Sequence, residues 1–329
     1  MTILRITAMA AASLAVAALS FTQAQAQMSM TTAGTTAGFS LSTFASGFPA
    51  TGYCCGPLGV AFTSGGAVLV ADYAGTVYRF SNDVDNQTVA ANATASTPYS
   101  SGDPVGLTRS GSQMYLALQS SGLIVRIDDF GNYQSTLVSG FTSVTGMATN
   151  PTNGHIFAGG ASGIFDINPV TATATAFSTG YGFYDGLTFS ADGSRLYGAI
   201  GSSIFVLDTA TPEAAPLFSF NVPGGPDGVA LGTGGLAGQL YINSNNGSLY
   251  QYTLATSTLV EIASGGSRGD FVTVDPNGTL LLTQTDTVLR LTAPSGSGFE
   301  PSNVPEPASL AVFGLAVAGL GAMRRRRAG

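Results

Sequence analysis

The sequence predicts an all-β fold: a six-bladed β-propeller of four-stranded blades, closed by an N-terminal strand. Three observations predict it. One pattern recurs six times, at Gly59, Gly106, Gly146, Gly186, Gly228 and, with a substitution, Phe271, at intervals of 47, 40, 40, 42 and 43 residues. A period near forty built from short strands marks a radial array of sheets. Each copy repeats the same order of apolar strand, glycine turn, second strand, polar loop, third strand and Thr/Ser-rich fourth strand. The last copy stops after its third strand. No segment of this region holds an apolar period of 3.6 residues, which excludes a helical solenoid.

Taken from the N-terminus, residues 1–26 carry Arg5, a run of small apolar residues and Ala24-Gln25-Ala26. That is a signal peptide with a cleavage site before Gln27. Residues 27–38, built from Met, Ser, Thr, Ala and Gly, read as a flexible leader. The segment Phe39 to Phe44 sits where a fourth strand would precede the first copy. It is the strand expected to complete blade six and leave only short sheet edges.

The propeller spans 39–293 in this reading. Its second strands are β-branched, aromatic or aliphatic runs of four to six residues, such as V-L-V-A, R-L-Y-G-A and T-L-L-L-T, bounded by turn residues. Copy four shows the unit in full: Gly186 to Phe189, the turn Ala191-Asp192-Gly193, R-L-Y-G-A-I, Gly201-Ser202 and S-I-F-V-L-D. Asp192-Gly193 and Pro276-Asn277-Gly278 are turns of one face. Asp83-Val84-Asp85-Asn86 begins like a Ca²⁺ loop but lacks its Gly and terminal Glu, so it reads as a solvated connection. His155, the single histidine, falls within a strand and reads as a packing or solvent-facing residue.

A linker, 294–303, follows. The C-terminal end, 304–329, holds Val304-Pro305-Glu306-Pro307, an apolar stretch from Ala308 to Met323 and the cluster Arg324, Arg325, Arg326 and Arg327. Sixteen helical residues would reach roughly 24 Å, somewhat short of a ~30 Å hydrocarbon core, and terminal Arg side chains can snorkel to complete the span. The arginines hold that end in the cytoplasm, which places the propeller across the membrane.

This tripartite end resembles the PEP-CTERM sorting signal. The resemblance implies export by the Sec machinery, an inner-membrane-anchored intermediate, and recognition by an exosortase with cleavage at or near the motif. The periplasm, the cell surface or the extracellular space would be the final location, often among extracellular polysaccharide.

Composition fits an exported chain. Only 9% of residues are charged, lysine is absent and glycine reaches 44. Between Gln27 and Asn303, 6 Arg stand against 17 Asp and Glu, a net charge of −11. Such a surface repels phosphate backbones, so nucleic acid is not an expected partner. The only cysteines are adjacent, Cys54-Cys55. In an oxidising compartment they pair with each other or with another molecule.

The residues before each aligned position would ring the tunnel mouth: Leu58, Val105, Thr145, Asp185, Asp227 and Asp270. The loops after the second strands would add Asp72, Gln119, Asn243, Asn245 and Asp286. Three carboxylates around an axis suit Ca²⁺ or another divalent cation, although Asp before Gly is also ordinary turn chemistry. The repeats resemble NHL-type and gluconolactonase-like propellers, which place a metal or ligand site at this mouth. Hydrolases of that group also use a Glu there, and none of these positions is Glu. Two readings follow. One is a non-catalytic binding or scaffold protein whose partner is a polysaccharide or an envelope protein. The other is a metal-dependent lactonase-like hydrolase or lyase. No nucleophile, histidine base, P-loop or zinc-protease motif assigns a catalytic residue.

Overall fold

The computed structural model describes residues 27–49, 51, 55–100, 103–295 and 297–299. Six sheets follow one another around an axis, antiparallel except where Gln87–Thr88 adds in parallel to the outer edge of the sixth. Blade one comprises Pro57–Phe62, Val68–Asp72, Thr76–Phe80 and Ala93–Ala95. Blade two comprises Pro104–Ser110, Gln113–Leu118, Leu123–Ile127 and Tyr133–Ser139, and blade three Val144–Thr149, Ile156–Gly160, Gly163–Asn168 and Thr173–Ser178. Blade four is Tyr184–Phe189, Arg195–Ile200, Ser203–Asp208 and Phe218–Asn221, and blade five Pro226–Leu231, Gln239–Ser244, Leu249–Thr253 and Thr258–Ser264. Blade six takes Val272–Val274, Thr279–Thr283 and Thr287–Thr292 from the end of the repeat region and its outer strand, Ser40–Ser46, from the front of the chain. Leu41 stands opposite Leu291 and Thr43 opposite Leu289, so the ring is closed by an N-terminal strand as the sequence predicts.

The aligned glycine is a packing requirement. A Cβ on Gly146 would stand 1.7 Å from the Asp185 carbonyl oxygen, and one on Gly59, Gly186 or Gly228 would stand 2.2, 2.3 or 2.2 Å from that of Val105, Asp227 or Asp270. Real Cβ atoms do not approach oxygen so closely. The inner strand of each blade therefore lies against the backbone of the next, and glycine is the residue that leaves room. At the sixth position the ring has Phe271 instead. It packs with Cys55, Leu58, Val105 and Tyr73 and makes one side of the mouth apolar.

Apolar clusters fill the spaces between successive blades. Leu107, Met114 and Leu116 of blade two meet Leu69 and Val77 of blade one, and Val229, Leu240 and Ile242 of blade five meet Tyr197, Ile204 and Val206 of blade four. The inner strands of all six blades line an axial cavity of about 400 Å³. It opens on the face formed by the first-to-second-strand turns and is walled by Leu107, Met147, Leu187, Val229 and Val272.

The closure is locked by charge. Arg290, buried on the third strand of blade six, donates from Nε to Asp85 at 2.7 Å and from Nη1 to Asp275 at 2.5 Å, and its Nη2 reaches Asp83. Its guanidinium lies 5.4 Å from the centroid of the Phe44 ring, on the closing strand. Asp83-Val84-Asp85-Asn86 is thus no solvated connection: it carries two carboxylates from blade one onto blade six. The pairing runs over 205 residues of sequence, and so has no local signature.

Residues 27–38 also differ from the expected flexible leader. Ser29–Met30 adds a fifth strand to blade five, with Met30 opposite Ala263. Thr32–Thr36 forms a short helix whose Gly34 N–H donates to the Thr31 hydroxyl at 3.1 Å. The small residues serve close contact, because a Cβ on Gly34 would lie 2.1 Å from the Ile262 carbonyl oxygen. The expected signal peptide, 1–26, and the C-terminal sorting segment lie outside the described residues. Among the described residues no helix is long and apolar enough to cross a membrane.

Candidate ligand site at the mouth of the ring

The inner strands of blades one to five enter the ring through an irregularity. The ladder shifts register between Tyr184 and Leu187, and between Pro226 and Gly228, so that Asp185 and Asp227 fall in the interruption. Bulges bend a strand and re-aim the side chain they contain. Asp270 precedes the inner strand of blade six in the same place. Three carboxylates from consecutive blades are thereby brought into one electrostatic cluster, as their spacing predicts.

What the spacing does not show is Arg268, two residues before Asp270. Its Nη2 donates to Asp227 Oδ2 at 2.9 Å. Its Nε lies 3.2 Å from Asp270 Oδ1, at ion-pair range but off the line of a hydrogen bond. Asp227 and Asp270 are almost fully buried, whereas 37% of the Arg268 side chain is exposed. The guanidinium therefore caps the acids and offers its outer edge to the mouth. The available signal was an isolated Arg in a body with only 6.

The protonation of this cluster is shared. Burial pushes Asp185 and Asp270 well above the usual carboxylate range, and the neighbouring Asp227 pushes both further in the same direction. Burial also raises Asp227, against the lowering influence of Arg268. A carboxylate deprived of water favours its neutral form, and like charges reinforce that preference. Asp270 Oδ2 is buried and has no hydrogen-bond partner.

The other predicted mouth residues divide. Leu58 and Val105 form the apolar side with Phe271. Thr145 is structural, its hydroxyl donating to the Tyr184 carbonyl at 2.8 Å. Asn243 is buried and donates to the Thr283 carbonyl at 2.9 Å, while exposed Asn245 donates to the Gly225 carbonyl at 3.1 Å. Gln119 binds the Asp103 carbonyl through its backbone N–H at 2.9 Å. Asp286 accepts from Thr287 and lines a separate cavity of about 440 Å³ with Gln27, Gln87, Ser267 and Gln284, nearer the outer rim. Missed by the sequence reading are Tyr73, within electrostatic reach of Arg268 and hydrogen-bonded to Asp103, and Ser120, whose hydroxyl donates to Asp103. Missed too are Tyr181 and Phe183, exposed in the loop that leads into Asp185. His155 lies elsewhere, at the edge of blade three, with Nδ1 2.8 Å from Asp166 Oδ1. No described cysteine is free, and Cys55 is disulfide-bonded. Cys54, its expected partner, lies outside the described residues.

Asp72 is fully buried. Its Oδ1 accepts the Ala74 N–H at 2.8 Å, its Oδ2 has no partner, and burial raises it from 3.8 to about 6. A raised carboxylate makes the folded state the stronger proton binder, so stability is greatest below the unfolded value and declines as pH rises through the folded one. The expected decline from this group is about 3 kcal/mol between pH 4 and 7. Asp72→Asn should therefore equal the parent in urea unfolding at pH 4 and exceed it at pH 8. Equal stabilities at both pH values would remove Asp72 as the cause.

Residues 303–327 match the PEP-CTERM protein-sorting motif. The protein is therefore exported and sorted through the membrane by exosortase-dependent processing, to the cell surface or extracellular space. No curated protein matches the chain by sequence. Among solved structures, a putative oxidoreductase (glucose dehydrogenase) from Thermus thermophilus is 16% identical with a TM-score of 0.61, over 77% of this chain and 100% of that one. The PQQ-bound aldose sugar dehydrogenase of Streptomyces coelicolor is 18% identical with a TM-score of 0.56, over 78% and 98%. A luciferin-regenerating enzyme is 13% identical with a TM-score of 0.60, over 80% and 98%. At these identities the likeness is one of fold.

Proposed function

We propose that this exported propeller is a non-catalytic binding protein of the cell surface or extracellular polysaccharide, and that its contact face is the mouth centred on Arg268. One observation carries the reading: a half-exposed guanidinium is fixed by two buried carboxylates at the axis, with amides and hydroxyls around it. A planar donor held in place keeps its geometry without a further entropic cost on binding. Asn245, Ser120 and Asp103 offer polar partners at the rim, and Tyr181 and Phe183 offer ring faces. Oriented donors and acceptors beside exposed rings suit a hydroxylated chain such as a polysaccharide.

A second reading, a metal-dependent lactonase-like hydrolase or lyase with Ca²⁺ or another divalent cation on Asp185, Asp227 and Asp270, is favoured by one atom. The unsatisfied Asp270 Oδ2 is a fitting cation ligand. Against it, Arg268 already supplies the positive charge. Among the described residues no group of three or more His, Cys, Asp or Glu side chains stands in an arrangement that could hold a metal ion. The residues fit a cation poorly.

The test uses the exported protein and its Arg268→Ala variant in co-sedimentation with extracellular polysaccharide from the producing cells. Retention of the parent and at least tenfold weaker retention of the variant are expected, since losing a charged partner at a buried pair costs about 2 kcal/mol or more. Equal retention would remove the mouth as the contact face. Elemental analysis and melting with and without chelator test the second reading: one divalent cation per chain, with a melt lowered by its removal, would support the aspartate site and justify a lactone and ester screen, and no cation with an unchanged melt would remove this reading.

A further inference from the structure

Eight large apolar side chains stand exposed among the described residues, and six of them lie on one side of the ring: Val84, Phe130, Tyr133, Val170, Leu217 and Phe218. The antiparallel order of every blade puts the mouth loops on one face and the first-to-second and third-to-fourth connections on the other. Val84, Phe130, Val170 and Leu217 occupy the third-to-fourth connections of blades one, two, three and four. Tyr133 and Phe218 open the strands that follow. This is the face opposite the mouth.

The chain leaves the propeller on that same face. Thr292 ends the last strand there. Phe299 is then fully buried among Phe39, Leu236 and Tyr241, and its N–H donates to the Gly278 carbonyl, in a turn of this face, at 3.2 Å. Residues 300–307 separate Phe299 from the apolar stretch that begins at Ala308. Eight residues reach at most about 28 Å when fully extended, so the propeller cannot stand far from a membrane that holds this stretch.

We propose that the anchored protein rests with this face against the membrane surface, Val84, Phe130, Val170 and Leu217 at headgroup level, and its mouth turned outward. The charges are consistent with a loose contact. Asp83, Asp85 and Asp275 share the single positive charge of Arg290, and Asp208 pairs with Arg195 at 3.3 Å. Asp128, Asp129 and Asp192 remain, beside a single exposed cation, Arg109, so the face suits zwitterionic headgroups better than anionic ones. Four apolar loop tips alone hold a protein weakly, but a short tether raises their effective concentration at the lipid and turns weak contact into fixed orientation. Cutting the tether then frees the body.

The test places a donor dye on Val170→Cys or on Tyr181→Cys, with Cys54 and Cys55 kept oxidised, in the full chain reconstituted into phosphatidylcholine vesicles whose headgroups carry an acceptor. Severalfold stronger energy transfer from position 170 than from 181 is expected. Equal transfer, or stronger transfer from 181, overturns the orientation. After proteolytic cutting within 300–307 both signals should fall to background and the body should leave the vesicles. A body that stays bound would show that the tether is not what holds it there.

Discussion

Replacing Arg290 by alanine is expected to destabilise the propeller by about 3–5 kcal/mol, the cost of leaving a buried carboxylate without its cation. The side chain joins three parts of the closure at once: Asp83 and Asp85 from blade one, Asp275 from the turn of blade six, and the Phe44 ring from the N-terminal strand. Burial already raises Asp275 against the lowering effect of the guanidinium, so its removal leaves that group either charged and unpaired or protonated. Urea unfolding at pH 7 measures the loss. Arg195→Ala provides the comparison, because the Arg195–Asp208 pair is partly exposed and such pairs contribute about 1 kcal/mol or less. Equal losses in the two variants would show that Arg290 is no clasp. The closing strand is the element most directly affected, so Arg290→Ala should also speed cleavage near Ser40–Ser46 in limited proteolysis.

Gly146→Ala should be of comparable size, although it adds a single methyl group. The added carbon would meet the Asp185 carbonyl oxygen at 1.7 Å, and that oxygen belongs to the backbone of the next inner strand. A flexible side chain could turn aside. A backbone fixed in a closed ring can yield only by moving blades three and four apart, which costs about 1–3 kcal/mol or more in a packed core. Gly65→Ala is the matched control, since its added carbon meets nothing closer than the Thr63 hydroxyl at 3.9 Å and its effect should stay within about 0.5 kcal/mol. Melting temperatures of the two variants that fall together would sink the close-approach argument. Asp185 follows in the next blade, so Gly146→Ala should also weaken binding at the mouth.

The repeat made the fold legible. A period near forty, set by one glycine per blade, could be counted because the same physical demand recurs at every blade interface: an inner strand must pass within touching distance of its neighbour's carbonyl. The missing fourth strand of the last copy, and a spare apolar segment ahead of the first, showed where the ring closes. The aspartates at 185, 227 and 270 could be placed at the mouth for the same reason, since position within the repeat fixes position around the axis.

Arg268 falls outside that logic. It lies in the loop that leads into the inner strand, where the equivalent positions of the other copies hold Gly56, Asp103, Ser143, Phe183 and Gly225, so no repeated residue points to it. Its partners come from two blades, and only the closed ring brings them to one guanidinium. Asp83 and Asp85 read as solvated for a similar reason: their cation lies over 205 residues away in the chain and beside them in space. The segment 27–38 read as flexible because small residues have no periodicity, yet smallness is what lets Gly34 sit against blade five. By itself the sequence determined the number of blades, the means of closure and the sorting of the exported chain, since these rest on local pattern. The tertiary structure decided which charges are paired and which edge of the site faces outward, because pairing depends on distance through space and burial on neighbours that the chain order does not reveal.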